Sequence, residues 1–122
     1  MKNMNNCIFC KIIAKKAPAK IVFENEDILA FVPKEQVSKG HTLVVPRVHF
    51  ENVFDIGKNI LEKLIAVSKG LSEKLAKENN ATGVNLLHAS GKDAQQSVFH
   101  FHLHVVPRYE NDGLDLWLRE KL

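Results

Sequence analysis

The chain has 122 residues, 45% hydrophobic and 25% charged, with a formal net charge of +3. That is one ordinary domain with enough apolar content to fold without staples, and no stretch approaches the roughly 20 continuous apolar residues of a membrane span. The mild charge is spread among acids, with no basic stripe interleaved with aromatics; it suits a small anionic ligand better than a nucleic-acid polymer.

The N-terminus is polar, and the apolar run at Cys7 is short and interrupted by lysines, so no signal peptide is read and a cytoplasmic address is expected. Cys7 and Cys10 are the two cysteines, spaced Cys-x-x-Cys. In a reducing compartment such a pair is a metal clip or a redox site rather than a structural disulfide. Cys7 to Lys16 reads as a short helix or turn. Lys20–Glu24 follows as a first strand with Val22 and Glu24 on one face, Asn25-Glu26-Asp27 as a turn, and Ile28–Val32 as the second strand of a hairpin closed by Pro33. Gly40 precedes His41–Pro46, whose β-branched run ending in proline predicts a strand buried on both faces.

From Ile60 to Glu78 the apolar residues recur at three- and four-residue steps, which predicts an amphipathic helix of about five turns ended by Asn79-Asn80 and Gly83. Val84–His88 reads as a strand, Ala89–Gln95 as a glycine-containing loop, and Ser97–Pro107 as one long strand. The expected fold class is therefore α+β: an antiparallel sheet of about five strands with one long helix packed on it, a single domain over residues 1–122. The tail from Tyr109 to Leu122 reads either as a helix on its own sheet or as a cover for a partner's pocket.

On a strand, His100, His102 and His104 share one face, each about 6.6–7 Å from the next, while Phe99, Phe101, Leu103 and Val105 take the other and can be core. One histidine on a strand is ordinarily structural. Three imidazoles on one face with apolar flanks have two physical uses, either a zinc site built from all three or a set of nucleophile, proton donor and orienting groups. The preceding Gln95-Gln96-Ser97 offers polar groups suited to an oxyanion.

The run Gln96-Ser97-Val98-Phe99-His100-Phe101-His102-Leu103-His104-Val105-Val106-Pro107 resembles the signature of the histidine triad (HIT) superfamily. Cys7–Ile13, Pro18–Glu24 and Gly40–His49 are similar to segments of its nucleotide-binding branch. The resemblance implies a homodimer that binds a purine nucleotide such as AMP or an adenosine phosphoramidate, with no membrane, nucleic acid or organic cofactor. It implies a hydrolase or nucleotidyl transferase acting at the α-phosphate, in which His102 attacks phosphorus to give a nucleotidyl-histidine that water then cleaves. His104 and Ser97 would contact the phosphoryl oxygens and leaving group, Gln96 would bind phosphate, and Ala89 and Gln95 would line the site. In some bacterial members the equivalents of Cys7, Cys10, His49 and His100 hold a structural Zn2+, a closed Cys2His2 set. Pro33 stands where members commonly carry an aspartate for the ribose, and Ala89-Ser90 where an asparagine is common. Those departures leave a second class in play, a nucleotide-binding signalling module with little turnover.

Overall fold

The computed structural model describes residues 6–118. Helix α1 (Ile8–Ile13) is followed by strands β1 (Lys20–Glu24), β2 (Ile28–Val32) and β3 (Thr42–Pro46), helix α2 (Lys58–Asn79), strand β4 (Gly83–Leu87), a 3-10 turn at Lys92–Ala94 and strand β5 (Leu103–Arg108). The five strands form one sheet in the order β1-β2-β3-β5-β4, every neighbouring pair antiparallel.

Both faces of this sheet are covered. On one face, α2 lays Leu64, Ser68 and Leu71 against Val44, Phe101, Leu103 and Val105. On the other, α1 contributes Phe9 and Ile12, which pack with Leu29, Phe31, Leu43 and Val45. Strands buried on both sides need continuous apolar runs, which β2 and β3 supply. The β3 reading is borne out to within one residue, since the strand starts at Thr42 and all five of its residues are buried. Helix α2 ends with Asn80 in the left-handed conformation (φ 60°, ψ 35°), a C-terminal geometry that asparagine tolerates.

Three details differ from the sequence reading. Val22 and Glu24 do not form a regular face, because the β1–β2 register slips between Ile21 and Phe23; Val22 and Phe23 both pack toward the α2 core, and Glu24 is exposed. An extra residue in one strand rotates the residues after it, which alternation rules cannot anticipate. The long strand expected from Ser97 is shorter: residues 98–100 bend, and β5 begins at Leu103. Phe99 consequently lies in the bend at 46% exposure rather than in the core, while Phe101, Leu103 and Val105 are buried as expected. No helix forms over residues 109–118; this segment is held by Arg108, whose guanidinium grips both carboxylate oxygens of Asp112 at 2.8 and 2.9 Å. Among the described residues, no helix is long and apolar enough to cross a membrane.

Candidate active site and metal centre

The bend ahead of β5 sends the three histidines of one sequence stripe to different partners. His100 is fully buried. Its Nε2–H donates to the Pro46 carbonyl at 2.9 Å, which leaves Nδ1 with the ring's lone pair. That Nδ1 lies 3.4 Å from Cys7 Sγ, 3.5 Å from Cys10 Sγ and 3.2 Å from His49 Nδ1, and Cys10 Sγ lies 3.3 Å from His49 Nδ1. Cys7 is the N-cap of α1 and its sulfur accepts the Cys10 amide at 3.3 Å, so the helix start places both sulfurs on one side.

Tetrahedral zinc with Zn–S of about 2.3 Å and Zn–N of about 2.0–2.1 Å separates its donors by roughly 3.3–3.8 Å, close to the spacings found here. The carbonyl on His100 Nε2 is the kind of outer partner that orients a ligating imidazole. Burial and the neighbouring Cys7 push the Cys10 thiol up to about 12, a poor arrangement for two thiols that a divalent cation would relieve. The four residues fit a closed Cys2His2 zinc site, and theirs are the only His, Cys, Asp or Glu donor atoms so grouped among the described residues. The alternative of one zinc on His100, His102 and His104 does not fit, because His100 Nδ1 sits among Cys7, Cys10 and His49, and the donor atoms of the three rings do not group within a metal's reach.

His102 lies outside that cluster. It is 6% exposed, and its Nδ1–H donates to the His100 carbonyl at 2.8 Å. The proton is thereby placed on Nδ1, and Nε2 keeps its lone pair. Phe9 meets the ring edge-on at 5.2 Å. Burial holds the His102 pKa below the usual histidine range, with His88 adding to the effect and the His100 carbonyl opposing it.

His104 acquires its tautomer from further away. The Val37 amide donates to His41 Nδ1 at 3.2 Å, so His41 carries its proton on Nε2 and donates to His104 Nδ1 at 2.9 Å. His104 must then be protonated on Nε2, leaving an N–H to point at an acceptor. Burial, and then the neighbouring His102, His41 and His88, lower its pKa to about 4, so the ring is neutral near pH 7. Two adjacent imidazoles, their ring centroids 5.1 Å apart, thus present opposite faces to a ligand, one a bare nitrogen and one an N–H. His41, 4% exposed, carries this arrangement, yet nothing in the sequence reading gave it a function. Its available signal was a histidine directly after Gly40 at the head of a buried strand.

The remaining site residues are less uniform. Gln96 is buried with its amide fully engaged: Oε1 accepts the Gly91 amide at 2.7 Å, and Nε2 donates to the carbonyls of Glu51 and Val98 at 2.7 and 3.0 Å. Its side chain holds the loop that leads into the histidines. Ser97 is exposed and, with Cys7, Ile8, His49, Glu51 and Phe99, lines a cavity of about 430 Å³ whose walls do not include His102 or His104. Gln95 is exposed in the left-handed region (φ 73°), and Ala89 is half-buried.

The α+β sheet therefore carries, on the three alternate histidines, a buried bare-nitrogen imidazole beside an N–H imidazole, next to a Cys2His2 cluster. The model of the HIT domain family matches residues 14–111, and the chain belongs to that family. It is 43% identical over 109 residues to Protein hit of Bacillus subtilis (strain 168), covering 88% of this chain and 75% of that one. Adenylylsulfatase HINT3 of Arabidopsis thaliana is 30% identical over 118 residues, 97% of this chain and 59% of that one. Among solved structures, a Zn-bound histidine triad family protein from Mycobacterium smegmatis superposes with a TM-score of 0.89 at 34% identity, covering 93% of this chain and 83% of that one.

Proposed function

We propose that this HIT-family chain binds a purine nucleotide and hydrolyses or transfers its nucleotidyl group at the α-phosphate, with nucleoside phosphoramidates or related phosphoanhydrides as substrates. The observation that carries the reading is the 2.8 Å bond from His102 Nδ1–H to the His100 carbonyl, which leaves Nε2 as a positioned nucleophile. In the first step Nε2 attacks phosphorus and the bond to the leaving amine breaks, the amine taking a proton from solvent. Water then attacks the nucleotidyl-histidine, the P–N bond to His102 breaks, and the nucleotide leaves with the imidazole restored. His104 contributes its Nε2–H to a phosphoryl oxygen, where preorganised donors act most strongly. Ser97, whose cavity does not include His102 or His104, would donate its hydroxyl to the leaving-group side of the ligand from the exposed end of the loop, and Gln95 and Ala89 would border the ligand. Gln96 supports the site by holding the loop. The relative named as an adenylylsulfatase is compatible with this chemistry.

Cys7, Cys10, His49 and His100 would hold a structural Zn2+, tying α1 to the segment that carries the nucleophile. The ion would supply cross-linking rather than chemistry, since all four positions are filled by protein. Strand β4 is a sheet edge, with Val84 and Leu86 at 41% and 40% exposure, a surface suited to pairing with a second copy. Replacing His102 with alanine and following AMP release from an adenosine phosphoramidate tests the reaction: the variant should be inactive, and undiminished turnover would end the proposal. Tight AMP binding by a wild type that turns over none of these substrates would favour a nucleotide-binding module instead.

A further inference from the structure

Strands β4 and β5 pair along their backbones as far as Leu87 opposite His104. The ladder stops there, just before the nucleophile. A side chain continues it: His88 Nδ1 lies 2.9 Å from the carbonyl oxygen of His102. Since a carbonyl only accepts, Nδ1 must carry the proton. The ring is fixed from two more directions. Phe101 stacks on it with centroids 4.3 Å apart and planes at 24°. Ser90 closes on its Nε2, and Ser90 Oγ accepts the Val53 amide at 2.9 Å. With Nε2 unprotonated, the Ser90 hydroxyl is the donor, so Ser90 secures the tautomer that the His102 carbonyl requires. The next residue, Gly91, is bound through its amide to Gln96, which closes this loop onto the residues entering His100.

The geometry assigns His88 the role of positioning residue for the nucleophile, with Ser90 as the group that holds His88 in its working tautomer. His102 then has two anchors, its Nδ1 on the His100 carbonyl and its own carbonyl on His88. The second anchor sets the peptide plane between His102 and Leu103 and therefore the direction in which the imidazole leaves the backbone. His88 touches the nucleophilic residue and not the reacting atoms. The inference rests on the reading of His102 as the nucleophile, and it gives His88, which the sequence places near the pocket, a defined atom to act on.

A misplacement of about 1 Å in a reacting group costs up to about a hundredfold in rate. The test measures single-turnover formation of nucleotidyl-enzyme from an adenosine phosphoramidate, beside AMP affinity by calorimetry and the thermal midpoint. His88→Phe keeps the stack on Phe101 and removes the donor. His88→Asn restores a donor, because its amide nitrogen is bonded to Cγ as Nδ1 is. His88→Phe should form the intermediate about ten- to a hundredfold more slowly with AMP affinity within about twofold of wild type, and His88→Asn should return to within about threefold. A wild-type rate in folded His88→Phe would overturn the inference, as would a loss that His88→Asn leaves unrepaired. Should His88→Phe not fold, Ser90→Ala carries the test, since it keeps the ring and releases the tautomer: slowing by about threefold or more is expected, and an unchanged rate overturns the assignment. A wild-type protein that forms no nucleotidyl-enzyme removes the nucleophile reading itself, an outcome distinct from labelled wild type with His88→Phe unaffected.

Discussion

Replacing His41 with phenylalanine isolates the tautomer relay from the rest of the site. The ring volume is nearly kept, but His104 Nδ1 loses the donor now 2.9 Å away and the Val37 amide loses its acceptor. Each neutral hydrogen bond is worth about 1 kcal/mol net, and a buried group left without its partner costs about 1–3 kcal/mol, so stability should fall by about 2 kcal/mol. The catalytic effect has a different origin. With Nδ1 unsatisfied, the His104 proton is shared between both nitrogens, and the Nε2–H proposed to meet the phosphoryl group is present only part of the time. Complete removal of such a donor costs about 10²–10³ in rate, and partial loss should cost about tenfold, or ~1.4 kcal/mol. Steady-state turnover of an adenosine phosphoramidate, together with nitrogen-detected NMR of the His104 ring, reads both consequences. Turnover within twofold of wild type, with His104 wholly in the Nε2–H form, would exclude a relay through His41.

The double variant Cys7→Ser, Cys10→Ser should lower bound zinc from about one per chain to about none and cost several kcal/mol of stability, checked by metal analysis and thermal unfolding; zinc at full stoichiometry would contradict the Cys2His2 set. His104 gives the fold a pH dependence. Its folded pKa of about 4 lies below the ordinary value of 6.5, so below pH 6.5 the unfolded chain takes up the proton first. Stability should fall between about pH 6.5 and 4, by about 2 kcal/mol once solvent screening of the partly exposed ring is allowed for, and His104→Asn should flatten that part of a urea-midpoint profile. Gln96→Ala strips three backbone groups of their partners and should cost about 2–3 kcal/mol by chemical denaturation. Gly40→Ala puts a Cβ 3.0 Å from both Asn79 Nδ2 and Leu75 Cδ2 at φ +92°, and should lower stability by about 1–3 kcal/mol in the same assay.

The α+β class, the single long helix and the β3 run were legible in the residues, because a 3.6-residue period and a continuous β-branched stretch each have one economical packing. So was the placing of Phe101, Leu103 and Val105 in the core, although Phe99, which the same alternation put beside them, lies exposed in the bend ahead of the strand. Alternation was silent on what each imidazole nitrogen meets. That was decided by residues distant in sequence: Pro46, Cys7 and Cys10 at His100, and the Val37–His41 pair at His104. His88 on the carbonyl of His102 is a further case. A histidine's chemistry depends on which nitrogen holds the proton, and only its hydrogen-bond partners choose that. The alternate spacing of His100, His102 and His104 is enough to bring three imidazoles near one another beside the buried Phe101 and Leu103. Contacts with α1, the Pro46 carbonyl and His41 turn the first toward two cysteines and give the third its N–H, while the chain's own bend bares Nε2 of the second.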